Sequence, residues 1–183
     1  MRMPISKLTV GCSVCLLPLM ASAAAADDSY AEDRAEIENL QARYMFALDF
    51  RDADVYASTF TEDGVLDYGA GEIVGRQAIH DFIDGMRRNE EAAAQEDDSG
   101  LRPAAGRHSI SNMVLKVEGN RAYGRAYWFH MGNDNPERSA ALTSFGHYED
   151  ELVKVGGKWL FSRRKIYNEQ VAAWAAKQKN PAW

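Results

Sequence analysis

The spacing of apolar residues predicts that the chain begins with helices. Residues 31–50 carry apolar side chains at steps of three and four, the stripe of an amphipathic helix with one face to bury. Residues 76–88 return to the same spacing, and residues 54–60 predict a short helix between the two. These segments predict three helices in the first half of the chain.

Strand signals dominate after residue 107. Between the first helices, a turn at residues 61–64 precedes short strands predicted at residues 65–68 and 72–74. Tight turns are predicted at residues 118–120 and 156–157, because Gly and Asn accept the positive φ that such turns require. Four long runs with strand character surround these turns: residues 108–117, 121–131, 142–155 and 158–168. An antiparallel meander covered on one face by helices is an α+β fold.

Two segments give weaker signals. Residues 89–107 are rich in Glu, Asp, Ala and Gly with little periodicity, which predicts a mobile loop or lid that is helical in part, or a solvated linker. The tail from residue 169 is interpreted as a short helix.

The N-terminus has the features of a secretory signal peptide. Arg2 and Lys7 precede an apolar run over residues 8–20, and small residues follow up to residue 26. The run falls short of the roughly 20 residues that span a bilayer, which argues against a membrane anchor. The sequence therefore predicts a leader over residues 1–26 and one exported, periplasmic or secreted domain over residues 27–183.

Removing this leader changes both the charge and the thiol content. Loss of Arg2 and Lys7 takes the formal charge from −6 to −8, which argues against nucleic acid or an anionic membrane as a partner. The two cysteines, Cys12 and Cys15, also lie in the leader, so no disulfide is expected in the mature domain.

Asp49 and His108 are the first candidates for chemistry. Asp49 ends an otherwise apolar helical turn, where a carboxylate usually needs a partner, and His108 opens the first long strand. If Asp49 accepts the Nδ1 proton of His108, Nε2 is free to move protons, and the pair is a general acid/base dyad. The alternative is a helix-end aspartate and a separate, satisfied strand histidine.

Further pocket candidates come from the same elements. Tyr44 lies about 140° from Asp49 around an ideal helix, so it reaches the same cavity only if the helix end is irregular. Tyr68 closes the first short strand. Strand alternation places Asn112 on the face of His108.

The remaining candidates lie on the later strands. His130 shares a strand face with Trp128, and Tyr148 shares one with Asp150. Arg164 alternates with apolar and polar residues of the last strand, so the sequence leaves open whether its side chain lines a cavity.

No metal or nucleotide site is predicted. The chain has no Gly-rich phosphate loop and no nucleophile elbow, and its four histidines lack close ligand spacing. We therefore expect no metal and no cofactor. His147, two residues before Glu149, is interpreted as a surface residue.

Several segments together resemble the SnoaL-like branch of the nuclear transport factor 2-like (NTF2-like) superfamily. They are residues 44–49, 60–69, 75–79, 107–108 and 157–159, and the resemblance covers about residues 31–169. It implies a cystatin-like fold, in which a curved antiparallel sheet is wrapped by N-terminal helices into a cone-shaped barrel. Such a barrel encloses a hydrophobic pocket, and members commonly form homodimers or homotrimers.

The spacing is most similar to the group of scytalone dehydratase and bile acid 7α-dehydratase. The resemblance gives Tyr44, Asp49 and His108 catalytic roles, and the scytalone dehydratase pattern adds Tyr68. It implies a cofactor-free elimination β to a carbonyl, with tyrosines polarising the carbonyl. His130 lies only near the position of the second pocket histidine of scytalone dehydratase, and an exported leader is unusual for this group.

These observations give a leading hypothesis and three alternatives. The first is a dehydratase-type lyase acting on a small hydrophobic, cyclic or aromatic hydroxylated compound. His130, Tyr148, Trp128, Asn112 and Arg164 are its candidate substrate-binding residues. The alternatives are an isomerase or carbon–carbon lyase using the same dyad, a non-catalytic periplasmic module that binds small ligands, and an assembly domain.

Overall fold

The computed structural model describes residues 21–96, 104–177 and 179–183. Within these ranges the chain forms three helices and six strands. They are α1 (Ala21–Asp49), α2 (Ala53–Ser58), β1 (Phe60–Asp67), β2 (Glu72–Val74), α3 (Arg76–Glu96), β3 (Gly106–Glu118), β4 (Arg121–Gly132), β5 (Ala141–Val155) and β6 (Lys158–Asn168). The predicted α+β class is confirmed.

Most of the predicted signal peptide lies outside the described residues, which begin at residue 21. The leader therefore stays a prediction. In the described part of the chain, no helix combines the length and the apolar character needed to cross a bilayer.

The six strands form one sheet in the order β2-β1-β6-β5-β4-β3. The predicted meander is confirmed, because β3 to β6 pair antiparallel in sequence order. Gly119 and the pair Gly156 and Gly157 make its two tight turns with φ values of 61°, 57° and 79°. The curved antiparallel sheet is confirmed, and among its described strands only β1 pairs parallel, with β6. The outermost strands β2 and β3 do not pair with each other, so the curved sheet is not closed.

The start of β1 differs from the prediction. Residues 61–64 were expected to form a turn after a helix, but α2 ends at Ser58 and these residues belong to β1. Their pairing with β6 is interrupted between Phe60 and Val65, so the strand accommodates the turn-forming residues as an irregularity. Residues 61–64 do have the composition of a turn. The sequence does not show that they pair with β6, and this pairing makes them part of a strand.

Helix α3 runs to Glu96, eight residues beyond its predicted end. Residues 89–96 consist mainly of Glu, Ala and Gln, which have high helix propensity. Arg87 adds contacts along the helix to Asp84 and Glu91. This part of the predicted lid is therefore helix, residues 97–103 lie outside the described residues, and β3 already begins at Gly106.

The hydrophobic core lies between the helices and one face of the sheet, here called the inner face. Ile37, Leu40 and Tyr44 of α1 are fully buried and belong to one cluster with Trp159 and Phe161 of β6. The opposite, outer face carries exposed apolar side chains on β4 and β5. They are Tyr127, Phe129, Met131, Leu142 and Phe145, and we call them the outer-face patch.

Two strand bulges change which side chains share a face. The pairing of β3 with β4 shifts between Ser111 and Val114, with Asn112 at a φ of 52°. The pairing of β6 with β5 shifts next to Ser162, so Phe161 and Arg164 both point inward. The expected strict alternation on these two strands was therefore wrong, because each bulge inserts one residue.

The described residues of the C-terminal segment, 169–177 and 179–183, form turns, bends and irregular chain where a short helix was expected. The backbone N–H of Asn168 donates to the carbonyl of Trp174 at 3.0 Å, and Arg125 Nε donates to the carbonyl of Pro181 at 3.2 Å. These two contacts hold the segment against the sheet.

Candidate active site

Asp49 and His108 meet in the structure. The Nδ1 of His108 lies 2.6 Å from Oδ1 of Asp49, and the backbone N–H of His108 donates to Oδ2 at 2.9 Å. The side chain of Asp49 is 6 % exposed and that of His108 is 19 % exposed. The carboxylate is thus enclosed while the imidazole reaches the surface of the site.

The end of α1 explains why this carboxylate needs a partner. Asp49 is the last residue of the helix, and Arg51 turns the chain away with a φ of 55°. A negative charge at a helix C-terminus is disfavoured by the helix dipole. The two N–H donors of His108, from its ring and its backbone, offset that cost and hold the strand against the helix end.

The hydrogen bond also fixes the tautomer of His108. A carboxylate accepts, so Nδ1 carries the proton that is donated to Asp49. In the neutral form of the ring, Nε2 then holds the lone pair, and it makes no hydrogen bond with any residue in the described ranges. This is the arrangement that a proton-transfer group requires.

A second histidine lies beside the first. His130 is the direct cross-strand neighbour of His108, and the two ring centroids are 4.5 Å apart. His130 Nδ1 lies 2.5 Å from the hydroxyl of Thr143, which in turn donates to the carbonyl of His130. The hydroxyl has one proton, so His130 Nδ1 must be the donor and its Nε2 the acceptor. Burial, and then the neighbouring His108, lower the pKa of His130 and favour its neutral form.

Gly106 makes room for this second ring. A Cβ at residue 106 would lie 1.9 Å from Nε2 of His130, a distance that no side chain can adopt. Glycine is therefore required at the first residue of β3 for the two histidines to lie side by side.

Aromatic side chains extend the site along the inner face. The ring of Trp128 is 6.0 Å from that of His108, and Tyr148 stacks on Trp128 at 5.9 Å. Burial raises the pKa of Tyr148 well above its usual value, so its hydroxyl stays protonated. That hydroxyl has no hydrogen-bonding partner among the described residues and is available as a donor.

Arg164 lies beyond Tyr148 in a fully buried ionic cluster. Its guanidinium donates to both oxygens of Asp150 at 2.8 and 2.7 Å, and Gln41 bonds to both partners. The rings of Tyr44 and Tyr148 each lie 4.1 Å from the guanidinium carbon. Burial acts to lower the pKa of Arg164, but the Asp150 carboxylate outweighs it and the pKa is raised.

Tyr44 belongs to this cluster and not to the dyad. Its ring is fully buried, and its hydroxyl is the acceptor of a 2.7 Å hydrogen bond from the hydroxyl of Tyr56. α1 remains regular to Asp49, so the angular separation between Tyr44 and Asp49 is retained. Tyr44 reaches the dyad only indirectly, through the rings of Tyr148 and Trp128.

Neither Tyr68 nor Asn112 makes a hydrogen bond or ring contact with the dyad in the described part of the chain. The ring of Tyr68 packs 5.2 Å from Phe82 and 6.1 Å from Trp174. The bulge in β3 turns Asn112 outward, where it lines a cavity together with Val114 and Arg125. Placing Asn112 on the face of His108 was therefore wrong.

The larger described cavities lie on other surfaces, and neither Asp49 nor His108 lines them. One of about 610 Å³ borders α1 and α2, and one of about 710 Å³ lies under the C-terminal segment. His147 lines the second cavity and is only 6 % exposed, which corrects its expected surface position.

Sequence reasoning missed Gly106, Thr143 and Gln41. The pairing of β3 with β4 places Gly106 opposite Gly132, on either side of His130. For Gly106, the available signal was a pair of glycines at the ends of two strands, Gly106 and Gly132, next to His130. No local pattern marked the other two.

Comparison with known proteins agrees with this geometry. The model of the SnoaL-like domain matches residues 29–165. The chain belongs to the SnoaL-like domain family. An uncharacterized protein of Mycobacterium tuberculosis is 28 % identical over 134 residues, which are 72 % of this chain and 82 % of the relative.

Solved structures of other proteins show the same fold. An NTF2-like protein with a cystatin-like fold from Novosphingobium aromaticivorans has a TM-score of 0.65 and 26 % identity, covering 82 % of this chain and 91 % of its own. A candidate scytalone dehydratase from the same organism has a TM-score of 0.62 and 24 % identity, covering 85 % and 96 %. A protein of Catenulispora acidiphila in complex with S-DNPA has a TM-score of 0.59 and 25 % identity, covering 76 % and 96 %.

Proposed function

We propose that the protein is a cofactor-free lyase of the dehydratase type, acting on a small hydrophobic, cyclic or aromatic β-hydroxy carbonyl compound. The observation that carries this proposal is the 2.6 Å hydrogen bond between Asp49 and His108, which leaves Nε2 of the imidazole free. A neutral imidazole held in one tautomer by a buried carboxylate is a general base at neutral pH.

In the proposed reaction, His108 Nε2 removes the proton on the carbon next to the carbonyl. The C–H electrons form the new C=C bond as the C–OH bond breaks, and the proton on Nε2 passes to the departing hydroxyl, which leaves as water. Asp49 stabilises the imidazolium that exists between these two transfers. His130, the cross-strand neighbour of His108, is favoured in its neutral form, so it adds no positive charge beside that imidazolium.

The aromatic side chains suit the rest of such a substrate. Trp128 and Tyr148 are buried and stack on each other, so they give the site an apolar floor beside the dyad. The protonated hydroxyl of Tyr148 is a donor for a carbonyl oxygen. The complex of the Catenulispora protein supports binding of a small molecule by this fold. The candidate scytalone dehydratase supports the reaction class only by its shared fold.

The test is turnover of a panel of cyclic and aromatic β-hydroxy ketones, followed by the absorbance of the conjugated product. His108→Ala and Asp49→Asn are expected to lower kcat by about 10²- to 10⁴-fold, the usual contribution of a general acid/base. His80→Ala and Asp54→Asn, an exposed ion pair, are the matched controls and should keep full activity. Equal activity in both pairs of variants would refute the proposal.

The second candidate is a binding module without catalysis. The aromatic wall next to His108 favours it as much as it favours a lyase, because stacking surfaces bind ligands whether or not they react. Saturable binding of the same ketones without any turnover by the wild-type protein would identify this function. An isomerase or carbon–carbon lyase would convert the panel to products that retain the oxygen or lose a carbon fragment.

We also propose export and self-association. Intact-mass analysis of the protein from the periplasm or the medium should show a chain that begins near residue 27, and a full-length cytoplasmic protein would contradict this. The outer-face patch is the candidate contact, because apolar side chains cluster there on neighbouring strands. Phe145→Glu is expected to convert a dimer or trimer to a monomer in light scattering.

A further inference from the structure

The C-terminal segment encloses a space on the outer face of the sheet. It is held at Trp174 by Asn168 and at Pro181 by Arg125. Between these two points it spans β5 and β6, and the cavity beneath has a volume of about 710 Å³. Small-molecule sites have volumes of about 300 to 1,000 Å³, so a ligand of moderate size fits.

His147 forms part of the floor of this cavity. Its ring stacks on Tyr167 with 4.5 Å between centroids and an angle of 15°. The side chain is 8 % exposed, and Nε2 has no hydrogen-bonding partner in the described part of the chain. The nearest carboxylate oxygen, from Glu149, lies 3.5 Å away. A buried ring nitrogen without a partner is costly, and a ligand in the cavity would satisfy it.

The charge around the cavity is positive, although the whole chain carries −6. Its carboxylates are already paired, Asp67 with Arg163 and Glu149 with Arg125. Lys177 and Lys179 line the cavity and form no ion pair among the described residues. These two ammonium groups are free to bind an anion.

The walls add flat apolar surface. Tyr167, Trp174 and Trp183 line the same space, and rings of this kind bind planar ligands by stacking. The cavity therefore combines a stacking floor and walls, one unsatisfied imidazole nitrogen and two unpaired cations. Together they select for a small aromatic ligand that carries a negative charge.

We propose that this cavity is a second ligand site for a small aromatic anion, on the opposite face of the sheet from Asp49 and His108. The anionic group lies against Lys177 and Lys179, and the aromatic ring lies against His147 and Tyr167. Nε2 of His147 hydrogen-bonds to a polar atom of the ligand. The site is independent of the proposed lyase activity, because no residue of the dyad lines it.

The test uses the full mature chain and two fluorescent probes with the same ring system. 1-Anilinonaphthalene-8-sulfonate carries a negative charge, and N-phenyl-1-naphthylamine does not. The double variant Lys177→Glu/Lys179→Glu is expected to raise the Kd of the sulfonate by about tenfold or more, because two attractive charges become repulsive. The Kd of the uncharged probe should stay the same.

The matched control is Lys116→Glu/Lys158→Glu, which changes the net charge equally at exposed lysines outside the cavity. It should change the Kd of the sulfonate by less than about twofold, the screened effect of distant surface charge. His147→Phe keeps a ring on Tyr167 but removes the unpartnered Nε2. It should raise the Kd of the sulfonate, while the thermal midpoint should not fall, because the cost of the unsatisfied nitrogen is removed.

Three results would overturn the proposal. The first is the absence of saturable sulfonate binding. The second is an equal loss of affinity in the two lysine double variants, which would indicate a general charge effect. The third is loss of sulfonate binding in His108→Ala or in Phe145→Ser, which would place the probe at the dyad or on the outer-face patch.

Discussion

The inner face carries two polar clusters that use their buried groups in different ways. In the Arg164 cluster, Asp150 and Gln41 bond to the guanidinium and to each other, and every member is fully buried or nearly so. In the dyad, the side chains of Asp49 and His108 are 6 % and 19 % exposed, and Nε2 of His108 makes no hydrogen bond with a described residue. The first cluster uses its hydrogen bonds to hold strands and helix together. The second retains a lone pair for a ligand.

Breaking the Arg164 cluster should have the largest effect on stability. Asp150→Ala leaves a buried guanidinium without its counter-ion, and we expect the free energy of unfolding to fall by about 3 to 5 kcal/mol. Urea denaturation measures it. The control is Glu72→Ala, which removes an exposed partner of Arg163 and should cost less than about 1 kcal/mol. A small loss in Asp150→Ala would mean that the cluster is not a stabilising centre.

Filling the space at Gly106 should have the next largest effect. Gly106→Ala places a methyl group where the ring of His130 lies, so the ring or the strand must move, at a cost of about 1 to 3 kcal/mol. Gly119→Ala tests the cost of the positive φ alone, because no atom lies within 4 Å of a Cβ there. If Gly106→Ala were as stable as the wild type with unchanged histidine resonances in NMR spectra, the two rings would not be in contact.

Removing the hydroxyl of Thr143 should have a smaller effect. Thr143→Val keeps the shape of the side chain but removes the acceptor for His130 Nδ1, at a cost of about 1 kcal/mol. The tautomer of His130 should then no longer be fixed, which ¹⁵N chemical shifts of the ring detect. Ser109→Ala, on the exposed side of β3, is the control and should leave those shifts unchanged.

The pH dependence of stability should show the smallest effect. The pKa of His130 is lowered in the folded protein, so the unfolded chain binds the proton more readily. The stability from this group is complete above the ordinary histidine pKa of about 6.5 and is lost as the pH falls through that value toward the folded pKa. His130→Gln should flatten this part of the curve of unfolding free energy against pH. An unchanged slope would contradict the lowered pKa.

The sequence pointed to Asp49 and His108 as a candidate pair, because Asp49 is a charged residue in an apolar helical turn and needs a partner. It left open the alternative of a separate helix-end aspartate and strand histidine, which the hydrogen bond between the two side chains excludes. The cluster around Arg164 could not be predicted in this way. Its face on β6 depends on the bulge at Ser162, and its partners Asp150 and Gln41 lie 14 and 123 residues away. Long-range pairing of this kind leaves no periodic signal.

The predicted boundaries of β1 and α3 were wrong for a related reason. Residues 61–64 have turn chemistry, and only the parallel pairing with β6 makes them part of a strand. Residues 89–94 lack apolar periodicity because they are exposed, so helix propensity and surface ion pairs such as Arg87–Glu91 support this end of α3. Patterns of burial predict the elements that build the core and miss those that do not.

The bulge in β3 determines which face of the sheet carries the side chain of His108. Counted back from the turn between Glu118 and Arg121, an unbroken ladder would pair His108 with Met131, whose side chain points outward. The extra residue near Asn112 shifts the count by one, and His108 meets His130 instead. An insertion or deletion of an odd number of residues between His108 and Glu118 would therefore place the imidazole on the outer face of the sheet. An even number would keep it on the inner face.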